Sequence, residues 1–258
     1  MSRLTGKSTV SLVVLFAALG AAILLILPAR VVADPISGGS MILIAAEMSG
    51  GGESSTFVWG FPQPVSPSGS WSWSLPMPIE AYSGGLLLGT IDALTLTVDG
   101  DPGVSLAFAV TAGPGGLNFT WSGGPVAVPT YTNPIAYASA GITLTDLDSN
   151  GASLIGLYPG SKAYEAVYNT TVGWAYLLDN LTAGVDETAV RSGRQPASGR
   201  QTIFDTLTSI QSQFKFSLSA NDQASGTSRF DVQPIPEPAS ALLLLSGLAV
   251  FLRRRKKT

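Results

Sequence analysis

Between Thr90 and Val232 apolar and small polar residues alternate with a period of two, and Gly, Pro and Asp separate the alternating runs. That period puts successive side chains on opposite faces of an extended strand, whereas a helix repeats about every 3.6 residues, so the middle of the chain is restricted to sheet. Thr90–Val98 and Val104–Val110 are two such runs, and Asp99-Gly-Asp-Pro-Gly103 between them reads as a hairpin turn. Further runs cover residues 117–121, 138–145, 153–157, 172–178 and 209–219, with a return strand at 228–232. Val104, Leu106, Phe108 and Val110 fall on one side of their strand and are expected to face a core together. Helical periodicity is weak between the two ends of the chain; residues 161–168 are too short a stretch to assign. Short strands in antiparallel order predict an all-β, antiparallel β-sandwich or jelly-roll-like domain over Leu86–Val232.

The two ends have a different character. Arg3 and Lys7 precede an uncharged apolar run from Leu12 to Leu27, and Val31-Val32-Ala33 supplies small residues before Asp34. Residues 1–33 therefore read as a signal peptide that signal peptidase cuts between Ala33 and Asp34, the alternative being an uncleaved membrane helix. Gly6-Lys7-Ser8 is not a phosphate-binding loop, because Met1 stands where that motif needs its first glycine. At the other end Pro236-Glu237-Pro238 precedes an uncharged run, Ala239–Leu252, and then Arg253, Arg254, Arg255, Lys256 and Lys257. Fourteen helical residues span only about 21 Å, short of a ~30 Å hydrocarbon core. The five cations hold the C-terminus on the cytoplasmic side.

Residues 234–258, about a tenth of the chain, closely resemble the PEP-CTERM sorting signal of exported bacterial proteins, with motif 236–238, membrane run 239–252 and basic end 253–257 all matching. The resemblance implies processing by an exosortase in bacteria that make extracellular polysaccharide. It also implies an inner-membrane intermediate before the cell surface or extracellular space. A plain tail anchor is the alternative.

Without the two ends, residues 34–233 have the length of one domain. The mean hydropathy of +0.32 is inflated by the terminal runs. Six cations against sixteen acids leave this segment a net charge of −10, a body that repels phosphate backbones, so no nucleic acid is expected as a partner. Three of those cations fall in Arg191–Arg200, which reads as an exposed loop, with an anion site as the sharper alternative. The chain has no cysteine and no histidine. Disulfides, Ser-His and Cys-His catalysis and histidine-ligated zinc are thereby excluded. No Gly-x-Ser-x-Gly elbow is present either.

Asp146-Leu-Asp148-Ser-Asn150-Gly151 matches the first six positions of a calcium loop, but the twelfth, which needs a bidentate carboxylate, is Leu157. Asp146, Asp148 and Asn150 are therefore candidate ligands of a structural calcium, or simply a stable turn; no other cofactor is expected. Trp71 and Trp73, two apart, would share one strand face, either as a platform for sugar rings or as part of the core with Trp59 and Phe61. Tyr158, Tyr164, Tyr168, Trp174 and Tyr176 form a second aromatic region. Glu47, Glu53, Glu80 and Glu165 are the carboxylates a glycoside hydrolase would need, yet none has a singular context. Asn118, Asn169 and Asn180 fit the N-glycosylation pattern, which has little meaning beside a bacterial tag.

These features predict an exported, non-enzymatic structural or adhesive protein associated with exopolysaccharide. The alternatives are a carbohydrate-binding module using the tryptophans and a carboxylate-based hydrolase.

Overall fold

In the computed structural model residues 41–62 and 69–235 are described. The signal segment with its Ala33–Asp34 junction, residues 63–68, the Pro236-Glu237-Pro238 motif, the run 239–252 and the basic end 253–257 lie outside them. Among the described residues no helix is long and apolar enough to cross a membrane.

The described chain forms sixteen strands. The first six are β1 (Met41–Gly50), β2 (Glu53–Pro62), β3 (Trp71–Ser74), β4 (Ile79–Ser83), β5 (Leu86–Asp99) and β6 (Gly103–Ala112). Next come β7 (Leu117–Thr132), β8 (Ile135–Thr145), β9 (Ala152–Gly156), β10 (Tyr164–Tyr168) and β11 (Val172–Leu177). The last are β12 (Leu181–Ala183), β13 (Thr188–Gln195), β14 (Gln201–Thr202), β15 (Thr206–Leu218) and β16 (Gln223–Gln233).

They divide into two antiparallel sheets. The first has the order β11-β10-β15-β7-β1-β2, and β9, joined by β12, continues along the β15 edge beyond β10. The second has the order β13-β8-β16-β6-β5-β3, with β14 extending the β8 edge and β4 the β5 edge. Consecutive strands β6, β7 and β8 alternate between the sheets. On the return, β15 enters between β7 and β10, and β16 between β6 and β8.

The two inner faces interdigitate to make the core. Val104, Leu106, Phe108 and Val110 are all buried, as their spacing predicts. The Phe108 ring, from the second sheet, lies 4.8 Å from Phe214 and 5.5 Å from both Phe119 and Phe216, all from the first. Burying each such side chain contributes roughly 1.5–3 kcal/mol, and the tilted ring contacts about 0.5–1.5 kcal/mol more per pair. One polar chain crosses the core: Tyr164 Oη lies 2.8 Å from Ser212 Oγ, which lies 3.0 Å from Ser228 Oγ.

Several elements differ from the sequence reading. The sandwich begins at Met41 rather than Leu86, because β1 and β2 form a hairpin closed by Gly51-Gly52, with φ of 61° and 86°. Two successive positive φ values are what a two-residue hairpin requires, and glycine reaches them without strain. Gly60–Pro62, which opens a stretch rich in Gly, Pro and Ser, is the end of β2 and pairs with Met41–Leu43. Residues 164–168 are strand β10. Arg191–Gln195, expected in a loop, belongs to β13, which pairs with β8. An edge strand can expose both its faces, so β13 lacks the apolar alternation that would have revealed it.

Candidate functional site

Asp146 stands where β8 ends and is buried. Its Oδ1 accepts the backbone N–H groups of Asp148 and Asn150 at 3.3 and 3.4 Å, and its Oδ2 accepts that of Asp186 at 2.7 Å. Gly151, with φ 90°, completes the turn. Asn150 Nδ2 donates to Asp148 Oδ2 at 2.7 Å, which ties these two side chains together within the turn. A residue with no motif of its own joins it: carboxylate oxygens of Asp146, Asp148 and Asp222 lie within 4.8 Å of one another. Asp222, just before β16, accepts Leu147 N–H at 3.3 Å and the Ser219 hydroxyl. These three carboxylates could hold a hard divalent cation, while in the same geometry they act as acceptors that fasten the β8–β9 turn to the β15–β16 turn. Their titration separates them. Burial pushes Asp146 up, but the backbone donors of Asp186, Gly151, Asp148 and Asn150 outweigh it and hold it below the usual carboxylate range. Asp222 is raised, by burial first and then by the neighbouring charges of Asp148 and Asp146, against the lowering hydrogen bonds.

Trp71 and Trp73 on β3 share one face, as the spacing predicts, and are half-buried against the core. Their rings meet those of β2, the edge strand of the other sheet: Trp59 to Trp73 at 5.2 Å, Phe61 to Trp71 at 5.4 Å and Phe61 to Trp73 at 5.4 Å. These residues close one open side of the sandwich, and much of the ring surface a sugar platform would use lies against other rings. In the second aromatic region Tyr164 lies in the core and Trp174 stacks on Phe230 at 5.4 Å.

Three of the four glutamates considered as acid and base are held by polar neighbours. Glu53 accepts from Ser83, Glu80 from Tyr82 and Glu165 from Gln213. Tyr176 is raised, first by its hydrogen bond to Glu165. Asn169 and Asn180 use their side-chain oxygens to accept backbone N–H groups of Thr208 and Gly156.

A further constellation lies on the outer face of the second sheet. Arg194 on β13, Ser139 on β8 and Arg229 on β16 form one cross-strand row, and Ser192, Gly141 and Thr227 the next. Tyr137 stands one residue pair further along β8. The guanidinium carbons of Arg194 and Arg200 lie 4.9 and 4.7 Å from the centre of its ring. Arg200 pairs with Asp231, a carboxylate only 4% exposed. Arg229 donates to the same carboxylate at 2.8 Å and to Asp99 at 2.8 Å. Burial pulls Arg229 down, but Asp231 and Asp99 outweigh it and hold it above its ordinary value. Tyr137, Ser139, Arg194, Gly199 and Arg200 line a cleft of about 390 Å³. A second, of about 320 Å³, adjoins it at Ser139 and runs past Gly141, Ser192 and Thr227 to Arg229. Sequence reasoning noticed Arg194 and Arg200 but not Tyr137, Arg229 or Asp231; the Arg-x-Asp spacing on an alternating strand was the available sign of a shared face.

No protein-family model matches the chain, and no curated protein matches it. Solved virus structures align over most of its length. A chain of Broad Bean Stain Virus is 11% identical, covering 81% of this chain and 98% of that one, with a TM-score of 0.23. A chain of the infectious bursal disease virus Gt strain is 11% identical, covering 88% of this chain and 70% of that one, with a TM-score of 0.14.

Proposed function

We propose that this chain is an exported bacterial cell-envelope or extracellular-matrix protein, sorted through its C-terminus by an exosortase and serving a non-enzymatic structural or adhesive role beside exopolysaccharide. The observation that carries this is the tag itself: Pro236-Glu237-Pro238, the uncharged run 239–252 and five consecutive cations, opposite an N-terminal segment with the layout of a signal peptide. Signal peptidase and the exosortase are the processing partners, and the membrane holds the intermediate. Two supporting facts come from the body. Its strand order, β6-β16-β8-β13 facing β7-β15-β10-β11, agrees with a jelly roll extended by β1–β2 on one sheet and β3–β5 on the other. Its stability rests on a packed apolar core without disulfides, as suits a chain with no cysteine.

The mutual packing of Trp59, Phe61, Trp71 and Trp73 favours the structural role over a tryptophan-based carbohydrate platform. Replacing Pro236-Glu237-Pro238 by alanines tests the sorting reading: secretion of the body should persist while an unprocessed precursor accumulates in the inner membrane. The wild-type mature protein should begin at Asp34. Identical precursor and mature bands in hosts with and without the exosortase would reduce the tail to a plain anchor.

A further inference from the structure

We propose that Arg194, Arg200 and Tyr137 form a binding site for the carboxylate groups of an acidic polysaccharide on the outer face of the second sheet. The inference rests on the matrix reading for its choice of polymer and stands on the geometry for everything else.

The first reason is where the positive charge sits. Residues 34–233 contain six cations and sixteen acids, and three of the six, Arg194, Arg200 and Arg229, line two adjoining clefts. Arg200 and Arg229 are tied down by Asp231 and Asp99. Arg194 is exposed and pairs with no carboxylate among the described residues; the side-chain hydrogen bond it makes goes from Nη2 to the Gly199 carbonyl at 2.9 Å. A guanidinium has five N–H donors in a planar fork that matches a carboxylate, so most of the donors of Arg194 remain for a ligand.

The second reason is that two like charges share one aromatic ring. Arg194 and Arg200 are each within 5 Å of the Tyr137 centroid. Asp231 balances Arg200, and an anion beside Arg194 would balance the other. Tyr137 thus acts as the base that holds both forks toward the same cleft.

The third reason concerns shape. The trench does not end at the arginines; it continues past Ser139 over Gly141, Ser192 and Thr227, whose small side chains leave it open and whose hydroxyls can bond to sugar hydroxyls. A lone inorganic anion would use only the first cleft. Nucleic acid fits poorly, because the second cleft offers hydroxyls and small side chains rather than a row of cations for successive phosphates or aromatic faces for bases.

The test uses the exported protein recovered from cells expressing the full chain, with polygalacturonate as the probe and its carboxyl-reduced, neutral form as the comparison. Polygalacturonate should be retained, more weakly as salt rises, and the neutral polymer should not. Arg194→Gln should weaken binding about tenfold or more, the loss of one charge-assisted fork, with only a small drop in melting temperature, because an exposed hydrogen bond and the contact with Tyr137 are lost but no ion pair is broken. Lys215→Gln, which removes an exposed cation from the other sheet, should bind as wild type does. Equal binding by Arg194→Gln and wild type, equal retention of the neutral polymer, no retention of polygalacturonate at low salt, or stronger binding to single-stranded DNA would each overturn the proposal. Failure here leaves export and processing untouched, whereas a protein that binds polygalacturonate but whose tail is never processed overturns the sorting reading alone.

Discussion

Phe108 on β6 lies directly opposite Gly226 on β16, and a Cβ added at 226 would come within 2.6 Å of the Phe108 ring and 2.9 Å of the Gly141 carbonyl oxygen. The ring that joins the two sheets therefore occupies space that a side chain at 226 would need. Phe108→Ala is expected to destabilise the fold by roughly 3–5 kcal/mol, and Gly226→Ala by about 1–3 kcal/mol through overpacking. Urea unfolding measures both, and wild-type midpoints would contradict this packing.

The aromatic closure between β2 and β3 should behave as a coupled unit. Phe61 and Trp73, 5.4 Å apart, come from different sheets. A double-mutant cycle on this pair should give a coupling of about 0.5–1.5 kcal/mol, and each single alanine variant should lower the melting temperature. A coupling near zero would mean the rings do not hold the two edges together.

Tyr164, Ser212 and Ser228 should show the asymmetry of buried polar groups. Ser212→Ala removes the link in the middle of the chain and leaves the buried Tyr164 hydroxyl short of a close partner, with Ser228 as its remaining polar neighbour, at a cost of about 1–3 kcal/mol. Adding Tyr164→Phe to that variant should recover part of the loss, since the stranded hydroxyl is then gone. Chemical denaturation of the single and double variants checks the sign.

Acid should unfold the protein partly through Asp146. Its folded pKa lies below the ordinary 3.8, so the stability it contributes is present above 3.8 and is lost as pH falls through the lowered value. Asp222 has the opposite sign: its folded pKa is raised above 3.8, so its contribution is present at low pH and is lost as pH rises through the raised value. Melting temperatures between about pH 2 and 7 should therefore show a shallower acid limb in Asp146→Asn. In Asp222→Asn the decline above the ordinary carboxylate range should disappear. Parallel profiles for wild type and both variants would refute the assignment.

Much of the body was legible because strands buried on one face must alternate. Val104–Val110 and Thr90–Val98 carried that alternation, and Asp99–Gly103 between them carried turn chemistry, so hairpin, facing and core position all followed from local rules. β13 carried no such pattern: an edge strand exposes its side chains, and only the free edge of β8 made it a strand. The Gly51-Gly52 and Gly84-Gly85 turns were readable in principle, since paired glycines between extended runs mark tight hairpins.

The sequence by itself determined the strand period, the acidic charge of the body, the exclusion of histidine and cysteine chemistry and the layout of both ends, because each depends on residues close together in the chain. It also named Asp146, Asp148 and Asn150 as one turn. Only the tertiary structure decided that Asp222 joins that turn from the other end of the domain, that Trp71 and Trp73 pack against Trp59 and Phe61, and that Arg194, Arg200, Arg229 and Tyr137 share one outer face. Those associations depend on which strand lies beside which, and that order is selected by burial summed over both sheets rather than by any local run of residues.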